Sequence, residues 1–268
     1  MKYFVFLVTG LTLLASALRA DPFAFYGISG ASKGASILYQ IDPNNGSILS
    51  TIGDTGLSHI TAMSFNPLDG KLYAASSGSG ASLYTLNTST GAATLVGALG
   101  DSDDIPDMTF RSDGTLFAWS ENNDTLKTIN LATGAATDLA FGTDTYQTGL
   151  EFGPTGVLYL KVASDFYTVD VDSATVTYSM TTGVDFKNLL AIDSAGRVYS
   201  GVRDGSSTLL YTIDLNTTEA TLIGTAAASF SAIAFTGTAP AIPEPSTYAV
   251  MFGAAALGIA VWRRRRNA

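Results

Sequence analysis

One short pattern, Leu-Tyr-x-Ile-Asp, recurs five times in this chain with small variations. The copies are Leu38-Tyr39-Gln40-Ile41-Asp42, Leu83-Tyr84-Thr85-Leu86-Asn87, Leu126-Lys127-Thr128-Ile129-Asn130, Phe166-Tyr167-Thr168-Val169-Asp170 and Leu210-Tyr211-Thr212-Ile213-Asp214. Their first residues are 45, 43, 40 and 44 apart. Alternating apolar residues over so short a run define a half-buried strand. The closing Asp or Asn can accept a backbone N–H two residues on and so start a turn. A segment rich in Gly, Asn, Thr, Ser or Asp follows each copy, and then a second short strand such as Ala93-Thr94-Leu95-Val96-Gly97 or Ala220-Thr221-Leu222-Ile223-Gly224.

A second motif lies between these hairpins. It reads Ala62-Met63-Ser64-Phe65 with Gly70-Lys71-Leu72-Tyr73-Ala74, and Asp107-Met108-Thr109-Phe110 with Gly114-Thr115-Leu116-Phe117-Ala118. It returns as Gly149-Leu150-Glu151-Phe152 with Gly156-Val157-Leu158-Tyr159, and as Leu189-Leu190-Ala191-Ile192 with Gly196-Arg197-Val198-Tyr199. Four strands per repeat predict an all-β fold, a β-propeller of five four-stranded blades. Four blades fall at about 60–97, 105–140, 147–180 and 186–224. The fifth is assembled from both ends: Ser231 to Phe235 supplies its first strand, and Ala24 to Ile28, Ile37 to Asp42 and Ile48 to Ile52 supply the other three. An open stack or a sandwich of the same strands is the competing architecture, but it does not call for complementary ends. Closure leaves no sheet edge free between first and last blade.

The termini read as processing segments. Lys2, the apolar run Tyr3 to Leu14 and Ala15-Ser16-Ala17 form a signal-peptide pattern, with cleavage after Ala17 or Ala20. The organisation expected is therefore a signal peptide over 1–20, a propeller over 21–238 and a tail over 239–268. In the tail, Pro243-Glu244-Pro245 precedes an uncharged apolar stretch, a transmembrane helix over about 246–262, and Arg263, Arg264, Arg265 and Arg266 follow at once. Clustered arginines stay on the cytoplasmic side, which leaves the body outside.

These three parts in this order resemble the PEP-CTERM sorting signal of Gram-negative bacteria. The resemblance implies recognition and cleavage by an exosortase, a membrane protease-transpeptidase. It also implies transient residence in the inner membrane through the C-terminal helix, and a final address at the cell surface or outside the cell. The repeat itself resembles secreted propellers with Leu-Tyr-x-Ile-Asp and x-x-Thr-Gly-x elements, which are met in bacterial surface proteins. That likeness implies a scaffold and names no ligand; association with exopolysaccharide in a biofilm is the expectation for a surface protein of this kind.

Without the two end segments, residues 21–262 carry eight Lys and Arg against 23 acidic residues, a net charge of −15. Such a body repels phosphate backbones, so nucleic acid is excluded as a partner. The chain has no cysteine, which removes disulfides, thiolate metal sites and cysteine nucleophiles. His59 is the single histidine, beside Ser58 between two blades, and no Ser-His-Asp arrangement can be read around it.

The densest acidic loop, Asp101, Asp103, Asp104 and Asp107, offers hard oxygen donors that suit Ca²⁺, without the spacing of an EF-hand. A solvated acidic connection between blades is the competing reading. Asp42, Asn87, Asn130, Asp170 and Asp214 read as turn starters. The repeated tyrosines, Tyr26, Tyr39, Tyr73, Tyr84, Tyr159, Tyr167, Tyr199 and Tyr211, read as packing residues whose outward members can stack on sugar. The expectation is a non-enzymatic, exported scaffold with no resident cofactor. The alternative is a secreted hydrolase or lyase with a metal at the channel mouth.

Overall fold

A computed structural model describes residues 24–30, 34–100, 104–139, 148–173, 175–186 and 189–236. The expected signal peptide, the sorting residues Pro243 to Arg266 and the span 246–262 lie outside the described residues, as do Asp101 and Asp103.

Among the described residues, twenty strands form five antiparallel four-stranded sheets. The chain enters with β1 (Ala24–Ser29), β2 (Ile37–Ile41) and β3 (Ile48–Asp54). Four complete blades follow: β4 (Ile60–Phe65) to β7 (Ala93–Ala98), β8 (Met108–Phe110) to β11 (Ala136–Asp138), β12 (Thr148–Phe152) to β15 (Thr175–Thr181), and β16 (Leu190–Ile192) to β19 (Ala220–Ala226). β20 (Phe230–Thr236) then pairs with β1, giving a closing blade in the order β20-β1-β2-β3. The register sets Phe25 opposite Phe235 and Tyr26 opposite Ala234. The repeat spacing and the complementary ends thus predict the ring that is found.

The first strands of the five sheets, β20, β4, β8, β12 and β16, pack each against the next around the channel. Side chains lock neighbouring inner strands together. Thr61 Oγ1 donates to the Ile105 carbonyl at 2.6 Å, and Asp107 Oδ2 accepts the Leu150 amide at 2.9 Å. Thr109 Oγ1 accepts the Phe152 amide at 3.2 Å and donates to Glu151 Oε1 at 2.8 Å. A hydroxyl or carboxylate at these places serves buried backbone groups that would otherwise lack partners.

Apolar clusters lie between consecutive blades. Leu83 and Ala75 meet Met108, Leu116 and Ile129, and Trp119 packs with Leu150, Leu160 and Val169. At the closing blade Phe25, Phe230 and Ile233 join Tyr199 and Leu210, and Phe25 stacks on Phe235 with ring centroids 4.2 Å apart. Each large side chain buried this way contributes about 1.5–3 kcal/mol.

The perimeter strands explain why Thr-Gly and Asn-Gly turns recur. A Cβ on Gly53, Gly97 or Gly224 would overlap the carbonyl of Thr90, Thr133 or Asn45 respectively, in the turn of the following blade. The turn glycines Gly91, Gly134 and Gly46 take φ values of +81°, +79° and +71°, which suit glycine. The turn starters act as expected, because Asp42, Asn87, Asn130, Asp170 and Asp214 each accept the amide two residues on at 2.8–3.0 Å.

Candidate functional site

All five inner strands run in one direction, so the channel has two chemically different mouths. At the end where these strands finish, Phe65, Phe110, Phe152, Ile192 and Phe235 stand at equivalent places, one from each blade. With Pro67, Pro154, Ser112 and Ser194 from the adjoining turns they line a cavity of about 320 Å³. Apolar side chains gathered around a concavity, with a few hydroxyls on the rim, make this end of the channel an apolar mouth.

The turn that carries Ser194 is held rigidly. The Asp193 carboxylate accepts the Ala195 and Arg197 amides at 2.9 Å each, and Arg197 Nε at 2.7 Å. At the next level into the channel stands Glu151, aligned with Ser64, Thr109, Ala191 and Ala234 of the other blades. Burial pushes its carboxyl up to about 8, and the hydrogen bond from the Thr109 hydroxyl offsets part of that rise.

At the opposite end the inner strands begin, and the lining is polar. His59, Thr61, Asp104, Glu121, Arg203 and Ser231 surround a cavity of about 240 Å³. His59 is exposed, with φ of +58° and Nδ1 3.3 Å from Ser58 Oγ. Arg203 is exposed on this rim, at the end of a strand whose register sets it opposite Thr208.

The acidic loop does not act as one group where it is described. Asp104 is exposed. Asp107 is 3% exposed, and its two carboxylate oxygens accept the amides of Met108 and Leu150, each at 2.9 Å. Burial raises its pKa well above the ordinary carboxylate value. Among the described residues, no group of three His, Cys, Asp or Glu side chains stands close enough to hold a metal ion. Two features escape a reading of local composition: the ring of phenylalanines and the inward Asp107. The repeat carries the signal for both, since Phe closes four of the five inner strands and Asp107 aligns with Ala62, Gly149, Leu189 and Ala232.

The tyrosines divide by strand. Tyr26, Tyr73 and Tyr199 are buried on second strands and Tyr159 is half-buried on one, whereas Tyr39, Tyr84, Tyr167 and Tyr211 are half-buried on third strands. Three of the latter face large, exposed perimeter residues: Tyr84 opposite Leu95, Tyr167 opposite Tyr178 and Tyr211 opposite Leu222.

Fold and mouths together define a closed five-bladed β-propeller with an apolar and a polar end. Residues 19–175, more than half of the chain, match a family described as a repeat of unknown function (DUF6923), and the chain belongs to that family. Residues 241–266 match the PEP-CTERM protein-sorting motif, which marks the protein for export, processing by an exosortase in the membrane and a cell-surface or extracellular destination. No curated protein matches.

Among solved structures, a chain of a nidogen/laminin complex is 12% identical with a TM-score of 0.54, over 80% of this chain and 98% of that one. A chain from a study of the de novo evolutionary emergence of a symmetrical protein is 18% identical with a TM-score of 0.50, over 79% and 97%. A Bacteroides thetaiotaomicron protein of unknown function is 15% identical with a TM-score of 0.51, over 74% and 58%. At such identities the likeness is one of fold.

Proposed function

We propose that this propeller is a non-catalytic scaffold, displayed outside the cell after its tail is processed, where it associates with exopolysaccharide. The observation that carries the reading is the sorting motif at 241–266, joined by only a few residues to β20, the strand that closes the ring. Export and processing therefore act on a body that is complete without the tail.

Two features support the reading, the first a rigid scaffold and the second a binding perimeter. The carboxylates of the inner strands, buried Asp107 and half-buried Glu151, accept hydrogen bonds from neighbouring blades at 2.9 and 2.8 Å and hold the blades together. The perimeter repeats a half-buried tyrosine beside Leu95, Tyr178 or Leu222, so three blades offer similar apolar faces to one long polymer. Repeated weak contacts on one scaffold add by effective concentration rather than by individual strength.

Deletion of residues 242–268 followed by cell fractionation tests the address, and the truncated protein should lose the localisation of the full chain. Affinity electrophoresis through gels containing exopolysaccharide of the same bacterium tests the association. The parent body should be retarded, and the triple variant Tyr84→Ser, Tyr167→Ser, Tyr211→Ser should run as in a plain gel. Equal mobility of the parent in both gels would contradict the association. Calcium uptake by calorimetry together with turnover of a polysaccharide or lactone would replace the scaffold reading with the enzymatic one.

A further inference from the structure

We propose that the apolar mouth is a docking groove for a segment of this same chain, Pro240-Ala241-Ile242-Pro243. Three observations meet here. The chain leaves the ring at Thr236, one residue past Phe235, which itself lines the mouth. Four residues of extended chain then reach at most about 14 Å, enough to bring Pro240 over the cavity. The seven-residue strand β20 rises by roughly 23 Å from one mouth to the other, so the polar mouth is out of range for Pro240.

The chemistry also matches. Residues 237–243 read Gly-Thr-Ala-Pro-Ala-Ile-Pro, without a charge. Two prolines three residues apart favour the polyproline II helix, whose three residues per turn set Pro240 and Pro243 on one edge. Grooves lined by aromatic rings accept such edges, because the helix is formed before it binds and loses little entropy on docking. Half-buried Phe65, Phe152 and Phe235 supply such a lining with Phe110 buried behind it, and Ser112 and Ser194 stand on the rim as hydroxyl donors for carbonyls that the helix leaves unpaired.

The cavity of about 320 Å³ is of a size for a few small side chains. The tether matters as much as the fit. An attached segment is present at an effective concentration in the millimolar range, so a weak intrinsic contact suffices. Docking holds Pro243-Glu244-Pro245 beside the propeller, and an exosortase then meets the motif with the rim next to it.

The absence of cysteine makes the test direct. Ala241→Cys and Ser112→Cys are introduced into the full chain, reconstituted in nanodiscs of phosphatidylethanolamine and phosphatidylglycerol, and joined with a short bismaleimide. The rate should exceed that of the same pair carrying Ile242→Asp by at least about tenfold, the difference between a docked and a merely tethered segment. It should likewise exceed that of Ala241→Cys with Ser206→Cys, which lies in the turn between β17 (Val198–Asp204) and β18 (Ser207–Ile213) at the polar end. An unchanged rate with Ile242→Asp overturns the proposal. So does quenching of a fluorophore on Ser112→Cys by spin-labelled lipid, for that result puts the bilayer on the mouth. Ile242 lies outside the ring, so its replacement leaves the propeller fold untouched.

Discussion

Ser231 Oγ lies 2.6 Å from the carbonyl oxygen of Ile60 and donates to it, although the two residues are 171 apart in sequence. The same hydroxyl reaches the Ile28 carbonyl at 3.1 Å. One side chain on the last strand therefore holds the first strand of the chain and the inner strand of the next blade. Ser231→Ala removes the one O–H that these two carbonyls share and should cost about 1–3 kcal/mol. Thermal unfolding followed by circular dichroism checks this. Removal of everything after Ala228 should have a larger effect, since it strips β1 of its inner partner, leaving only β2, and exposes Phe25 and Tyr26. Sedimentation should then show aggregation, and a monomer with the parent Tm would contradict closure by β20.

Gly97 sits where the Thr133 carbonyl of the next blade's turn passes over the perimeter strand. Gly97→Ala should force the two blades apart and lower stability by about 1–3 kcal/mol, the usual cost of overpacking. Thr94→Ala, on the same strand but exposed, should stay within about 0.5 kcal/mol of the parent. Denaturant titrations of both variants give the comparison. Equal midpoints would remove the close contact from the account of how the blades meet.

The Glu151 carboxyl should make stability fall as pH rises. Its folded-state pKa of about 8 stands above the ordinary 4.5, because burial disfavours the charged form. Between these values the folded chain keeps a proton that the unfolded chain releases. The contribution is complete below about 4.5 and is lost as pH climbs through about 8. Asp107, also raised by burial, acts in the same direction from its own lower starting value. Glu151→Gln keeps an acceptor for the Thr109 hydroxyl and removes the titration. At about pH 8.5 it should be more stable than the parent by about 1–3 kcal/mol, allowing for partial exposure, and at about pH 4 the two should nearly coincide. Parallel stability curves at the two pH values would contradict the assignment.

Much of this fold was legible because its information is periodic. The Asp and Asn residues that end the Leu-Tyr-x-Ile-Asp copies announce the turns they form, and the partial repeats at the two ends announce the closing blade. Register follows from the same alternation. What escaped was set by position in three dimensions. Asp107 belongs to a run of aspartates in sequence, yet the channel places it where other blades carry Ala62, Gly149, Leu189 and Ala232, and its carboxylate turns to the Leu150 amide. Gly97 reads as an ordinary strand residue until the Thr133 turn is laid over it. Phe65, Phe110, Phe152 and Phe235 look like four separate strand ends, and only the ring brings them to one mouth.

The account rests most heavily on a propeller that is complete before its tail is removed. The most direct measurement is the intact mass of the protein recovered from the extracellular or surface fraction of its own bacterium. The account predicts a mass that lacks the N-terminal signal segment and everything beyond the neighbourhood of Pro243-Glu244-Pro245, including Arg263 to Arg266, on a body that still melts cooperatively. A recovered protein that still carries its four terminal arginines would contradict it.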